Sequence, residues 1–138
     1  NLDTWKNLTL TYKHLEHLID AFMPRTRRNN TYCKTLSGVS DERIKSVRTI
    51  DGLREVFNND RYHKVNFEAY SRHRTVEFRQ HSGTTNFTKM ENWIRFLNGL
   101  ITFAKRSSLP SRMTLEELPF LDGKQKLFFK LRTKKLAV

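Results

Sequence analysis

Large apolar residues recur at spacings of three and four from the start of the chain: Trp5, Leu8, Tyr12, Leu15, Ile19 and Phe22. The spacing predicts an amphipathic helix of about five turns. Asp3 or Thr4 is its expected cap and Pro24 its expected end. A basic loop over 24–35 follows, in which Asn29-Asn30 suits a turn. Ser40 is an expected N-cap, although Arg43 stands three residues on where a full capping box needs Glu or Gln. Short helices are predicted over 41–47 and 51–57, with Asn58-Asn59-Asp60 as a break.

The period then changes from 3.6 to 2. Over 62–70, Val65, Phe67 and Ala69 alternate with Lys64, Asn66, Glu68 and Tyr70. Over 75–81, Val76 and Phe78 alternate with Thr75, Glu77, Arg79 and His81. Two such runs joined by Ser71-Arg72-His73-Arg74 predict a β-hairpin with one apolar and one polar face. After the break at Ser82-Gly83-Thr84, a capping box of Thr88 and Glu91 predicts a helix ending near Arg106. Met90, Trp93, Ile94, Leu97, Leu100, Ile101 and Ala104 make its apolar side. Thr114 and Glu117 form a second capping signal that Pro119 cuts short. A final basic helix, with Leu127, Phe128, Leu131 and Leu136 packing, follows Asp122-Gly123. The expected class is α+β: a small antiparallel sheet packed with amphipathic helices in one domain over 1–138. A lone hairpin is marginal in water, so either further short strands or residues outside this chain are expected to complete the sheet.

Composition narrows the partners. The net charge is +12, which favours polyanions, nucleotide phosphates or an acidic protein. The excess is clustered, at Arg25, Arg27 and Arg28 and again at Lys124, Lys126, Lys130, Arg132, Lys134 and Lys135. No apolar run reaches the length of a membrane span and no signal peptide is visible. Cys33 is the one cysteine, which excludes a disulfide framework and points to a cytoplasmic setting. It reads as a small buried residue rather than a nucleophile. The N-x-T sequons at Asn7, Asn29 and Asn86 read as chance occurrences. The chain starts with Asn1, not Met, so a processed product or part of a longer protein is expected.

Candidate chemistry gathers on the hairpin's polar face, where Asn66, Glu68, Glu77, Arg79 and His81 are placed together. Carboxylates suit hard Mg²⁺, and an arginine beside them suits a phosphate. The same row also reads as a solvated face with cross-strand charge pairs. Arg27 and Arg28 read as phosphate contacts from a loop, or as solubilising charge. No zinc spacing, P-loop or dinucleotide fingerprint is present.

The run Thr75-Val76-Glu77-Phe78-Arg79-Gln80-His81-Ser82-Gly83-Thr84, followed by Asn86 and Trp93-Ile94, resembles the amidoligase family. These are carboxylate–amine ligases of the glutamine-synthetase-like superfamily, common in phages and mobile elements. Ile19-Asp20, Arg27-Arg28-Asn29, Tyr32-Cys33 and Arg61-Tyr62 with Val65-Asn66 agree in order, so the resemblance covers residues 1–106, with a basic helical tail over 107–138. It implies ATP and Mg²⁺ as cofactors and an acyl-phosphate route to an amide. By position, Glu77 and Glu68 are the implied metal ligands. Arg79 is the implied contact to the transferred phosphate or substrate carboxylate, and Arg27, Arg28 and Asn66 are implied phosphate-side residues. Strands of the superfamily often carry Arg two residues before the metal Glu; here that position is Thr75. The acidic and histidine-rich strands of the family's N-terminal half have no counterpart in residues 1–60. The expectation is therefore the C-terminal portion of a ligase, inactive alone and completed by an N-terminal fragment or partner chain. Two alternatives remain from charge and composition: a nucleic-acid-binding module, and a non-catalytic interaction or phage structural protein.

Overall fold

The first helix, α1 (Leu2–Ala21), is more central than its sequence pattern predicts. In the computed structural model, which describes residues 1–137, residues 8–12 are all buried, as are Leu15, Glu16 and Ile19. Its buried Thr9 and Thr11 are both hydrogen-bonded: Thr9 Oγ1 donates to the Trp5 carbonyl one turn back at 2.8 Å, and Thr11 Oγ1 accepts from Leu109 N, far along the chain, at 3.2 Å. Asn1 is the cap, its Oδ1 accepting from Thr4 N at 3.0 Å, so Asp3 lies in the first turn against the helix dipole. The helix stops at Ala21, before Pro24, because the Phe22 and Met23 amides turn back to Ile19 and Asp20 in tighter three-residue bonds. A single 3₁₀ turn over Arg25–Arg27 follows.

Helices α2 (Asp41–Ser46) and α3 (Ile50–Glu55) have the expected kind of start, with Ser40 accepting from Arg43 N and Thr49 from Gly52 N. Asn58 and Asn59 take left-handed φ of 58° and 52°, a conformation their short polar side chains tolerate.

The hairpin is much shorter than predicted. Strands β1 (Val65–Asn66) and β2 (Glu77–Phe78) pair antiparallel, Val65 opposite Phe78 and Asn66 opposite Glu77. Lys34 adds a parallel bridge to His63 on the outer side. The connection contains one helical turn, α4 (Tyr70–His73), ended by Arg74 at φ 56°. The predicted solvent-facing alternation fails because Lys64, Val65, Asn66 and Phe67 are all buried: Val65 and Phe67 join the apolar core, Lys64 is held by α1 and Asn29, and Asn66 by the carbonyls of Arg61 and His63.

Helix α5 (Phe87–Ala104) is capped by Asn86, which accepts from Lys89 N at 3.0 Å, and not by the Thr88–Glu91 pair. Trp93, Phe96, Leu100 and Ala104 face inward, while Ile94 and Met90 are exposed. Thr114 and Glu117 do form a capping box, on a 3₁₀ turn over Leu115–Glu117. The last helix, α6 (Gly123–Leu136), starts from an Asp122–Gln125 box. Phe129 is its buried anchor, and Leu127 and Leu131, expected to pack, are exposed. Phe129 sits 4.4 Å from the Phe22 ring and 5.5 Å from Phe96, which stacks on Trp93, so aromatic contacts tie α6 to the end of α1 and to α5. Among the described residues the fold is α+β, six α-helices with a two-stranded antiparallel sheet. Among the described residues no helix is long and apolar enough to cross a membrane.

Candidate functional site

The polar interior is organised by a lysine. Lys64, just before β1, has no exposed surface. Its Nζ donates to Glu16 Oε2 at 2.9 Å, Asp20 Oδ1 at 2.8 Å and Asn29 Oδ1 at 3.0 Å, which uses all three ammonium protons. Glu16 also accepts from Thr35 Oγ1 at 2.7 Å and from Leu36 N. Asp20 Oδ1 takes a second bond from Gln80 Nε2, and Gln80 Oε1 accepts from Tyr12 OH at 2.7 Å. Tyr12, Glu16 and Asp20 lie four apart, on one face of α1. Burial pushes the Asp20 carboxyl up, against the bonds from Lys64 and Gln80 that pull it down. The Tyr12 phenol and the Cys33 thiol are also raised, in each case first by burial. Cys33 is a buried packing residue whose thiol donates to the Arg27 carbonyl at 3.2 Å.

Sequence reasoning placed Lys64 on a solvated strand face and did not single out Glu16. The available signal was the Tyr12–Glu16–Asp20 spacing on a helix otherwise apolar on that side. Two acids there call for a buried cation.

On β2, Glu77 Oε1 accepts from Arg79 NH1 at 2.6 Å. The Arg79 guanidinium lies over the Tyr62 ring, 4.8 Å from its centre, and donates through Nε to the Tyr32 carbonyl. Glu68 is gripped by both Arg54 Nε and NH2, at 2.9 and 3.3 Å. Glu68 and Glu77 nevertheless line one cleft of about 380 Å³, together with Arg61, Arg72 and His73. The other site candidates go elsewhere. Asn66 is buried and donates to the Arg61 carbonyl at 2.7 Å. Arg27 reaches the Arg79 carbonyl at 3.3 Å, and Arg28 the carbonyls of Met23 and Leu136 at 3.0 and 3.3 Å. His81 packs on Trp93 at 5.3 Å with Nδ1 facing the Ser82 carbonyl, and burial holds its imidazole below the ordinary value.

A family model described as "Putative amidoligase enzyme" matches residues 1–101. The chain belongs to the amidoligase family. The match runs from α1 to within four residues of the end of α5 and takes in the Lys64 network and both carboxylates of the β2 cleft. Neither the curated proteins nor the solved structures give a match.

The amidoligase chain offers a Mg²⁺ ion little by itself. Both oxygens of Glu68 are occupied by Arg54. Glu77 keeps one oxygen clear of Arg79 and is partly exposed. Among the described residues, no group of three Asp, Glu, His or Cys side chains is placed to hold a metal. One carboxylate oxygen fits a hydrated Mg²⁺ that takes its remaining ligands from water, phosphate and other protein groups. The cleft suits phosphate better: Arg61 and Arg72 are exposed and carry no ion pair among the described residues.

Proposed function

We propose that this chain is the C-terminal portion of an ATP-dependent carboxylate–amine ligase and that the cleft between α3 and β2 meets the nucleotide's phosphates. The observation that carries the reading is one carboxylate with a free oxygen, Glu77, in a cleft that also holds Arg54, Arg61 and Arg72, on a chain of the amidoligase family. Arg61 and Arg72 offset phosphate charge as it approaches, and Arg79 orients Glu77. Bound Mg²⁺ supplies charge neutralisation at the transferred phosphoryl group, and Glu77 is the residue here that would hold it. In such a reaction a carboxylate oxygen attacks the terminal phosphorus and ADP leaves. The amine nitrogen then attacks the acyl carbon, phosphate leaves with the bonding pair, and the nitrogen gives up a proton. The short two-stranded sheet and the single free carboxylate both fit a site completed by strands from another segment.

The test is Glu77→Gln in the complete enzyme. Turnover of Mg-ATP is expected to fall by about a hundredfold or more. Undiminished turnover would remove the assignment.

A second reading is favoured by α6 alone. It has six Lys and Arg and no acid, and Lys124, Lys130, Lys134 and Lys135 are exposed beside the exposed Leu127 and Leu131. This face suits a nucleic-acid backbone. Four phosphate contacts would give a log–log salt slope of about −3.6 on duplex DNA, and binding indifferent to salt would exclude it.

A further inference from the structure

Helix α6 has apolar residues on two sides. Gln125 and Phe129 are buried and Leu136 is half-buried, so this side lies against the body of the protein. At 3.6 residues per turn, Leu127 and Leu131 fall one turn apart on the opposite side, where they are 57% and 55% exposed. Exposed lysines stand around them: Lys130 and Lys134 along one margin of the outward face, Lys124 and Lys135 along the other. A surface helix ordinarily keeps its apolar stripe inward and its charge opposite. Here the middle of the charged side is apolar.

The charge of this helix is not neutralised from within. No cation of α6 is in an ion pair among the described residues. Lys126 is turned back, its Nζ donating to the Glu116 carbonyl at 2.7 Å. The neighbouring acids are few. Glu116 shares a groove with Lys130 and Lys134, and Glu91 and Asp122 share another with Lys124. Of these, Asp122 is engaged as the helix cap and Glu91 is paired with Arg95. At the other end of α6, Arg28 donates to the Leu136 carbonyl at 3.3 Å, which brings the basic turn over Arg25–Arg27 to the same end.

We infer that the outward face of α6 docks in the plane of an anionic lipid surface, with Leu127 and Leu131 entering the acyl boundary and the lysines on either margin reaching the headgroups. An in-plane helix needs an apolar centre with cationic margins, because long lysine stems follow the apolar surface while the ammonium stays in water. The order of residues on this face meets that need. Its four exposed cations are all lysine, flexible and strongly hydrated, whereas protein–protein interfaces favour arginine and aromatics and are poor in lysine. A nucleic-acid backbone matches the lysines but gives the two leucines no apolar partner. Among the described residues no helix can cross a membrane, so the contact runs along the surface. It is separate from the Glu77 cleft, which none of these leucines and lysines lines.

The experiment is co-sedimentation of the full chain with vesicles at physiological salt. One set is phosphatidylcholine alone, the other a two-to-one mixture of phosphatidylcholine and phosphatidylserine, and duplex DNA is titrated separately. The mixed vesicles should pellet the chain and the neutral ones should not. Leu127→Gln with Leu131→Gln leaves every charge in place and should weaken vesicle binding by roughly tenfold or more. Lys130→Gln with Lys134→Gln should weaken it by about fivefold per lysine. All four side chains are exposed, and an unchanged thermal melt checks that each variant keeps the fold. Leu131→Gln alone, expected to weaken binding several-fold, decides the matter should the double leucine variant not fold. Equal vesicle affinity in the leucine variants and the wild type, equal pelleting by neutral vesicles, duplex DNA bound while the mixed vesicles are not, or no pelleting at all would overturn the inference.

Discussion

Replacing Lys64 by Met keeps the length of the side chain and removes its charge. Lys64 is fully buried and its ammonium is the shared partner of Glu16 and Asp20. Breaking a buried pair by deleting one partner costs roughly 3–5 kcal/mol, because the remaining charge stays desolvated. The lower end applies here. Glu16 keeps its bonds from Thr35 and Leu36, and Asp20 keeps Gln80 and has about a fifth of its side chain open to water. The expected loss is about 3 kcal/mol. With an m-value of about 2 kcal/mol/M, the urea midpoint falls by about 1.5 M, and Tm by roughly 10 °C. A pH series identifies the cause. Burial already raises the Asp20 carboxyl, and losing Lys64 removes the bond that pulls it down. The penalty at Asp20 is therefore complete above its folded value and is relieved as pH falls through it toward the unfolded value of about 4. The gap between wild type and Lys64→Met should narrow between pH 7 and pH 4. A loss below 0.5 kcal/mol, or a gap of equal size at both pH values, would refute the account of Lys64 as the charge partner of the core.

Asp41 has the opposite sign. Burial raises its carboxyl, but the bonds from Lys13 and His14 outweigh that and hold it below the ordinary value. Its contribution is present above about pH 3.9 and is lost as pH falls through the lower folded value. Asp41→Asn should cost about 1 kcal/mol in urea titrations at pH 6 and little at pH 2.5. Gly99→Ala on α5 places a Cβ 2.8 Å from the Phe120 carbonyl oxygen. Despite alanine's better helix propensity, it should destabilise by about 1–3 kcal/mol in thermal melts, whereas Gly38→Ala, with nothing within 4 Å, should stay within about 0.5 kcal/mol. Cys33 is 1% exposed and its thiol is raised by burial. A disulfide reagent should label it many times more slowly in buffer than in denaturing urea, and equal rates would contradict its burial.

The sequence by itself determined the α+β class and the helices other than the single turn α4, which lies where strand and hairpin turn were expected. α1, α5 and α6 carry apolar spacings that repeat over several turns, and the punctuation at Ser40 and at Thr114 with Glu117 works from local hydrogen bonds alone. The E-F-R run on β2 carried the family, because a short string of specific residues survives whatever the chain around it does. Cap identity was less legible: Asn1 and Asn86 compete with nearby Asp, Thr and Glu for the same orphan amides, and the backbone entry angle selects among them. The length of the hairpin was not legible at all. Alternation in 62–70 says which residues lie on opposite faces, but not whether the second face meets water. Packing of α1 buried Lys64, the 61–63 segment closed over Asn66, and a predicted solvated row gave way to a network spanning residues 12 to 80. Only the tertiary structure brought Glu16, Asp20 and Lys64 together, since 44 residues separate the last two and charge pairing over that distance leaves no local pattern. The same holds for the clefts. Glu68 sits with Glu77 because the strands pair, while Arg54 takes both oxygens of Glu68 from a helix that no strand periodicity could place.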